Sequence, residues 1–175
     1  EELSAGMSRE FTETALRRQG VTSAAMKLNN ETVTTPPRPA ATVLLLRDTA
    51  DGPEVFMIRR HDASDVLGGA YVFPGGKVDR ADAEPGSLQR LEGDPRRMHE
   101  VLGEDGLDPA GAAALFFAAA RETFEECGVL LAKAAGTVHQ HRGRELLREG
   151  RGFAETVGQM ALAIEAAALL PWSRW

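Results

Sequence analysis

The chain has 175 residues, of which 43% are hydrophobic and 26% charged, a composition typical of one globular domain with its own core. Its formal net charge of −6 argues against a nucleic-acid polymer as partner, because proteins that bind such polymers present a basic surface to the phosphates. The sequence shows neither a signal-peptide pattern nor an apolar run of about 18 residues, and its single cysteine, Cys127, permits no internal disulfide. We therefore expect a cytoplasmic protein without a membrane partner.

The first 39 residues are predicted to lie outside the main domain. Residues 1 to 28 are predicted to form a helix, and the consecutive prolines within 36 to 39 predict an extended linker, because proline is excluded from helix interiors. The domain proper is predicted to span residues 40 to 175.

Short apolar segments at the start of this domain predict strands. Residues 41 to 47 form a β-rich run typical of a buried strand, and residues 54 to 60 form a second strand after a turn at 51 to 53, which together predict a hairpin. A polar, glycine-bearing loop at 61 to 70 then leads to a short strand at 71 to 73.

The second half of the chain is predicted to be mainly helical. Residues 83 to 110 are rich in charge, glycine and proline, with a short helix predicted at 87 to about 102, and they either cover the substrate or form a passive surface loop. Pro109 is predicted to open a long helix. After it, residues 129 to 131 predict a strand and residues 143 to 170 one or two helical segments.

Three carboxylates share one face at the end of the long helix. Glu122, Glu125 and Glu126 are spaced i, i+3 and i+4, so they project within roughly 5–6 Å of each other. Such like charges repel one another, and their oxygens suit a hard cation such as Mg²⁺ or Mn²⁺. Arg121 can orient Glu125, four residues later, through a helical ion pair. A solvated acidic face is the alternative, but the apolar opposite face of the helix indicates docking against a core.

The glutamate segment resembles the second half of the Nudix box. Residues 121 to 129 read Arg-Glu-Thr-Phe-Glu-Glu-Cys-Gly-Val and fit the family pattern except at Thr123, where the box has an aliphatic residue. In the first half, Gly75 and Gly76 form a predicted turn, and Asp82 stands where the box has its first glutamate. Between Asp82 and the second half lie 38 residues where the pattern has seven, so the box contains an insertion of 31.

This interrupted box, with Phe-Pro-Gly-Gly-Lys before it, resembles the Nudix subgroup that includes peroxisomal coenzyme A diphosphatases and their bacterial relatives. The resemblance covers about residues 40 to 131, together with residues 171 to 175. The upstream signature of the subgroup is matched at Arg60 and Gly69 but not at Asp65.

The resemblance implies an α/β fold, namely an α/β/α sandwich around a mixed sheet, with the insertion inside the box. Relatives continue beyond the motif at 171 to 175 into further strands. We therefore expect this chain to be a fragment of a longer polypeptide, or its remaining strands to come from another chain. A homodimer is one assembly that the sequence leaves open.

The resemblance also implies the roles of individual residues. Catalytic roles are expected for Glu125, Glu122 and Arg121. The expected ligands of Mg²⁺ or Mn²⁺ are Glu122, Glu125, Glu126, Asp82 and the Gly75 carbonyl. The expected substrate-binding residues are Arg59, Arg60, Gly76 and Lys77.

The function implied is metal-dependent hydrolysis of a small molecule that carries a nucleoside diphosphate. Coenzyme A or acyl-CoA, cleaved to phosphopantetheine and adenosine 3′,5′-bisphosphate, is the preferred substrate. ADP-ribose, NADH or a dinucleoside polyphosphate is the alternative substrate. A nucleotide-binding module of the same fold without turnover is the alternative function.

Overall fold

The computed structural model describes residues 34–64 and 68–174, and its mixture of short strands and helices confirms the predicted α/β class. The predicted helix at residues 1 to 28 lies outside the described residues. The strands are β1 (Ala40–Thr42), β2 (Leu45–Thr49), β3 (Gly52–Phe56), β4 (Ile58–Arg59), β5 (Tyr71–Val72), β6 (Gly75–Lys77), β7 (Leu91–Glu92) and β8 (Ile164–Glu165). The helices are α1 (Pro85–Leu88), α2 (Pro95–Leu102), α3 (Pro109–Cys127), α4 (Thr137–Arg148) and α5 (Phe153–Gln159), with 3₁₀ turns at Arg80–Ala83 and Ala166–Ala168.

Within the described ranges, the strands pair in four two-stranded ladders of mixed direction. The predicted hairpin is confirmed as β2–β3, and β1–β6 and β4–β5 are also antiparallel, whereas β7–β8 is parallel. Gly75 and Gly76, which the sequence placed in a turn, instead form β6, because they pair with Thr42 and Ala41 of β1. The glycine pair is therefore fixed by backbone hydrogen bonds.

The prediction of a buried strand at residues 41 to 47 is wrong for most of its side chains. Val43 is buried, but Leu44 is 50% and Leu46 is 68% exposed. Val55, opposite Leu46 in the hairpin, is 47% exposed. No other element among the described residues packs on this side of the hairpin. The apolar pattern of the sequence could not predict this exposure.

The region after α3 also differs from the sequence prediction. Residues 129 to 131 form no strand, although Ala132 makes an isolated bridge to Ile164. The helical stretch predicted at 143 to 170 starts earlier, is interrupted around Gly150, whose φ is 84°, and gives way to β8. Pairing with β7 draws the β8 residues out of helix.

The core is built on α3 and includes the inserted segment. Phe117 of α3 is 1% exposed and packs edge-to-face against Phe153 of α5, with ring centroids 5.4 Å apart. Met98 of α2 and Leu91 of β7 belong to the same buried cluster. The helix predicted at 87 to 102 is divided into α1 and α2 by β7. The insertion is therefore a packed part of the domain rather than a passive loop.

No described helix is both long enough and apolar enough to cross a membrane.

Candidate active site

The glutamates lie on a helix whose two ends are capped. The Asp108 side chain accepts a hydrogen bond of 2.7 Å from the amide of Gly111, and Pro109 occupies the first turn. At the other end Gly128 adopts the left-handed conformation, with φ of 74°, and its amide bonds to the Phe124 carbonyl at 2.8 Å. Both predicted ends of this helix are confirmed, and the glutamates occupy its last two turns.

Strand β6 lies directly against these glutamates. The amide of Gly75 donates to Oε2 of Glu126 at 2.8 Å. A Cβ atom on Gly76 would overlap the carboxylate of Glu122, and one on Gly75 would overlap the Ala41 carbonyl. Both glycines are therefore required by close approach, one to a carboxylate and one to the neighbouring strand.

Arg121 joins the two halves of the box through one guanidinium group. Nε and Nη2 donate to the two oxygens of Asp82 at 2.8 and 3.0 Å, and Nη2 also reaches the Lys77 carbonyl at 3.1 Å. Nη1 donates to Oε1 of Glu122 at 2.9 Å and to Oε2 of Glu125 at 3.0 Å. The side chain is only 10% exposed, so this network fixes two glutamates relative to β6.

Asp82 is placed differently from the other predicted metal ligands. It is fully buried, in the 3₁₀ turn Arg80–Ala83. Both of its oxygens accept from Arg121, and Oδ2 also accepts from the Asp79 amide at 2.8 Å. In this arrangement Asp82 faces Arg121 and the backbone.

The buried charges shift the pKa values of two site residues. Burial by itself would lower the pKa of Arg121, but the hydrogen bonds and charge of Asp82, with the charges of Glu122 and Glu125, raise it overall. Burial raises the pKa of Glu125, and the negative charge of Glu122 adds to this effect, while Arg121 opposes it. Glu125 therefore holds a proton more readily than an ordinary glutamate does.

This raised pKa predicts a pH-dependent stability penalty in metal-free protein. The folded chain binds the Glu125 proton more tightly than the unfolded chain, so stability falls as pH rises from the ordinary value of 4.5 through the raised value. We expect Glu125→Gln to raise the thermal midpoint at neutral pH, and to leave it nearly unchanged below the ordinary glutamate pKa. Thermal unfolding in EDTA measures the midpoints of the parent and the variant at both pH values. A lower midpoint for the variant at neutral pH would contradict the prediction.

The carboxylates have the chemistry of a divalent-cation site but do not converge on one point. Among the described residues, no group of three or more His, Cys, Asp or Glu side chains is close enough together to hold a metal ion. Glu122 and Glu125 each use one oxygen on Arg121, and Glu126 uses one on Gly75. Their other oxygens make no hydrogen bond to a described residue. This all-oxygen donor set has the chemistry that Mg²⁺ or Mn²⁺ prefers.

Of the four predicted substrate-binding residues, Gly76 packs against Glu122, and the three cationic ones fall into two groups. The guanidinium of Arg59 bonds to the loop that follows β4: Nη2 donates to Asp62 at 2.6 Å and Nε to the Gly69 carbonyl at 3.3 Å. The exposed side chains of Arg60 and Lys77 make no hydrogen bond to a described residue. Lys77 lies in β6 with the glycines, while Arg60 follows β4.

Gly76 offers a test of how closely β6 must approach the helix. Gly76→Ala would push the Glu122 carboxylate aside, and a displacement of about 1 Å at a reacting site can cost about 100-fold in rate. We expect turnover to fall by at least about tenfold, with the unfolding midpoint little changed. Gly86→Ala is the matched control, because a Cβ there meets no atom within 4 Å. Equal activity of the two variants would contradict the prediction.

No protein-family model matches the chain. A crystal structure of a protein from Alicyclobacillus acidocaldarius shares 33% sequence identity with it, and the two superpose with a TM-score of 0.53 over 77% of this chain. That protein is a Nudix hydrolase. The chain spans 59% of the length of the Nudix hydrolase. The likeness confirms the predicted fold class and supports membership of the Nudix superfamily. It does not bear on membership of the coenzyme A subgroup.

The Nudix-like box departs from the family pattern at Thr123, and the structure explains how that residue is accommodated. Thr123 is fully buried, and its hydroxyl donates to the Ala119 carbonyl one turn earlier at 2.7 Å. A threonine whose hydroxyl is satisfied within its own helix can occupy an apolar position at little cost.

Sequence reasoning named one backbone group of the site, the Gly75 carbonyl, but missed two others. The Gly75 amide and the Lys77 carbonyl bond to Glu126 and Arg121, respectively. Every residue type carries such groups, so the sequence offered no signal beyond the glycine pair.

Proposed function

We propose that this chain is a metal-dependent hydrolase of the Nudix type, acting on a small molecule in which a nucleoside diphosphate is joined to another group. One observation carries the proposal. Glu126 is bonded to Gly75 of β6, Glu122 and Glu125 are bonded to Arg121, which itself bonds to the Lys77 carbonyl of β6, and each glutamate has one carboxylate oxygen without a hydrogen bond to a described residue. The likeness to a solved Nudix hydrolase supports the same reaction class.

The proposed roles follow from the contacts of each residue. Glu122, Glu125 and Glu126 would hold Mg²⁺ or Mn²⁺, and the Gly75 carbonyl is the proposed backbone ligand. When bound, the cation offsets the negative charge of the pyrophosphate, which otherwise repels a nucleophile, and it acidifies water. Glu125 is either a third ligand or the proposed base that takes a proton from water, because it has one oxygen that makes no hydrogen bond to a described residue.

Arg121 and Asp82 are proposed to orient these ligands without binding the cation themselves. Arg121 orients Glu122 and Glu125 through Nη1, which donates to both carboxylates. Asp82 holds Arg121 by a two-point ion pair, so it is proposed as a positioning residue in place of the predicted ligand role.

Coenzyme A or acyl-CoA is the proposed substrate within this class. The interrupted box supports this choice, as do the exposed cationic side chains of Arg60 and Lys77, which suit the phosphate groups of such a substrate. Arg59 is assigned to positioning the loop after β4, because its guanidinium is already bonded to Asp62 and Gly69.

The test is product analysis on a substrate panel. The protein is incubated with Mg²⁺ or Mn²⁺ and coenzyme A, an acyl-CoA, ADP-ribose, NADH or a dinucleoside polyphosphate, and the products are identified by mass spectrometry. Adenosine 3′,5′-bisphosphate from the CoA compounds alone is the expected result. Cleavage of another member alone would overturn the substrate and keep the reaction. A folded protein that binds nucleotides but cleaves none would overturn the enzyme proposal in favour of a binding module.

A further inference from the structure

Helix α4 meets the end of the glutamate-bearing helix α3 at two consecutive residues, Gly143 and Arg144. Gly143 is buried, and a Cβ atom on it would lie 2.7 Å from Cζ of Phe124. The missing side chain therefore lets the two helices approach. The next residue, Arg144, donates from Nη2 to the Cys127 carbonyl at 3.2 Å.

These two contacts bracket the last two glutamates. Phe124, which is 1% exposed, immediately precedes Glu125, and Cys127 immediately follows Glu126. On the strand side, the Gly75 amide bonds to the Glu126 carboxylate. Helix α4 thus contacts this turn at the Phe124 side chain and the Cys127 carbonyl, and β6 contacts it at the Glu126 carboxylate.

A helix end needs such support because its last carbonyls have no partner within the helix, and the final turn tends to fray. An arginine at this end bonds to a free carbonyl and opposes the partial negative charge of the helix terminus. The guanidinium of Arg144 also fills the space beside Gly128, where a Cβ atom would overlap it. Gly128 is therefore required both for its φ of 74° and for the room it gives to Arg144.

We infer that Gly143 and Arg144 form a brace, and that Arg144 is a positioning residue which fixes Glu125 and Glu126 for cation binding. The inference about cation binding rests on the proposed function. The ordering of the last turn of α3 is a separate consequence that can be measured without metal.

Arg144→Ala is compared with Arg142→Ala, two residues away on the same helix. Arg142 pairs with Glu145 at 3.2 Å and Glu149 at 3.5 Å, so it is bonded within and just beyond its own helix. Both substitutions remove one positive charge from an exposed side chain. By charge alone, removing a cation near acidic ligands should strengthen the binding of Mn²⁺. The brace predicts the opposite sign for Arg144→Ala.

Mn²⁺ affinity is measured by electron paramagnetic resonance, and amide hydrogen exchange of residues 122 to 128 is followed in EDTA. We expect Arg144→Ala to weaken Mn²⁺ binding about tenfold, the lower end of the effect of residues that orient metal ligands, and to speed exchange in this turn. Arg142→Ala should change neither, and Arg144→Lys should restore part of the affinity because an ammonium group can still donate to the carbonyl.

The outcomes separate this inference from the proposed function. Unchanged or tighter Mn²⁺ binding by Arg144→Ala would overturn the positioning role, even if exchange were faster. If the parent protein bound no Mn²⁺, the proposed function would fail, and the brace would then stand or fall on exchange alone: faster exchange in Arg144→Ala would support it, and unchanged exchange would overturn it.

Discussion

Glu126→Gln is expected to lower turnover by roughly 100- to 1000-fold while leaving the fold intact. A metal ion contributes several kcal/mol of charge stabilisation in the transition state, and each 1.36 kcal/mol corresponds to about tenfold in rate, so loss of a charged ligand has an effect of this order. The fold should survive, because the amide oxygen of glutamine can still accept the hydrogen bond that the Gly75 amide donates to Glu126.

The measurement is kcat on the preferred substrate with saturating Mn²⁺, together with the thermal midpoint of each protein. Glu155→Gln is the control. Glu155 is an exposed glutamate of α5, away from the glutamates of α3, and it pairs with Arg151 at 2.9 Å. Turnover by Glu126→Gln within a few-fold of the control would contradict the proposed role of Glu126 as a cation ligand. A large loss of thermal stability would instead show that the Gly75 contact needs the full charge.

Asp82→Ala is expected to cost about 3 kcal/mol of unfolding free energy, because removing one partner of a buried ion pair leaves the other charge poorly compensated. The carboxylate is fully buried, and it takes two of the guanidinium hydrogen bonds of Arg121. Glu122 and Glu125 remain as partners of Arg121, which keeps the expected loss at the lower end for such pairs.

Urea unfolding in EDTA measures this cost in the absence of any metal. Asp62→Ala is the matched control, because Asp62 also pairs with an arginine, Arg59, but at the surface, where ion pairs contribute about 1 kcal/mol or less. Equal losses in the two variants would contradict the positioning role. A loss for Asp82→Ala that appeared only with Mn²⁺ present would restore the predicted role of Asp82 as a ligand.

The features that the sequence predicted well are local ones. The ends of α3 follow from Pro109 and Gly128, which act within one turn, and the shared face of the glutamates follows from helical spacing alone. The β2–β3 hairpin likewise follows from a turn signal between two apolar runs. In each case the deciding residues lie within a few positions of the feature.

The bonds between distant segments are what the sequence could not supply. The resemblance to the Nudix box predicted that Gly75 and Asp82 lie near the glutamates. It did not predict that Asp82 bonds to Arg121, 39 positions away, or that the Gly75 amide bonds to Glu126, 51 positions away, because residue type and spacing carry no sign of such bonds. The exposure of Leu44 and Leu46 is a similar case, because an apolar run indicates that a side chain prefers burial but does not say what covers it.

The long separations in the box have a consequence for how the site is made. During synthesis, β6 leaves the ribosome about fifty residues before Glu126, its partner on α3, a delay of several seconds at ordinary elongation rates. The inserted segment is made in that interval, but Met98 and Leu91 can pack only when α3 is present, and β7 also waits for β8, which follows later in the chain. Pairings between distant segments form slowly because the loop between them must first close. Until the last turn of α3 is complete, the nascent chain therefore holds β6 with only β1 as a partner and without the carboxylate that its Gly75 amide bonds, and in this interval it is open to chaperones and to misassembly.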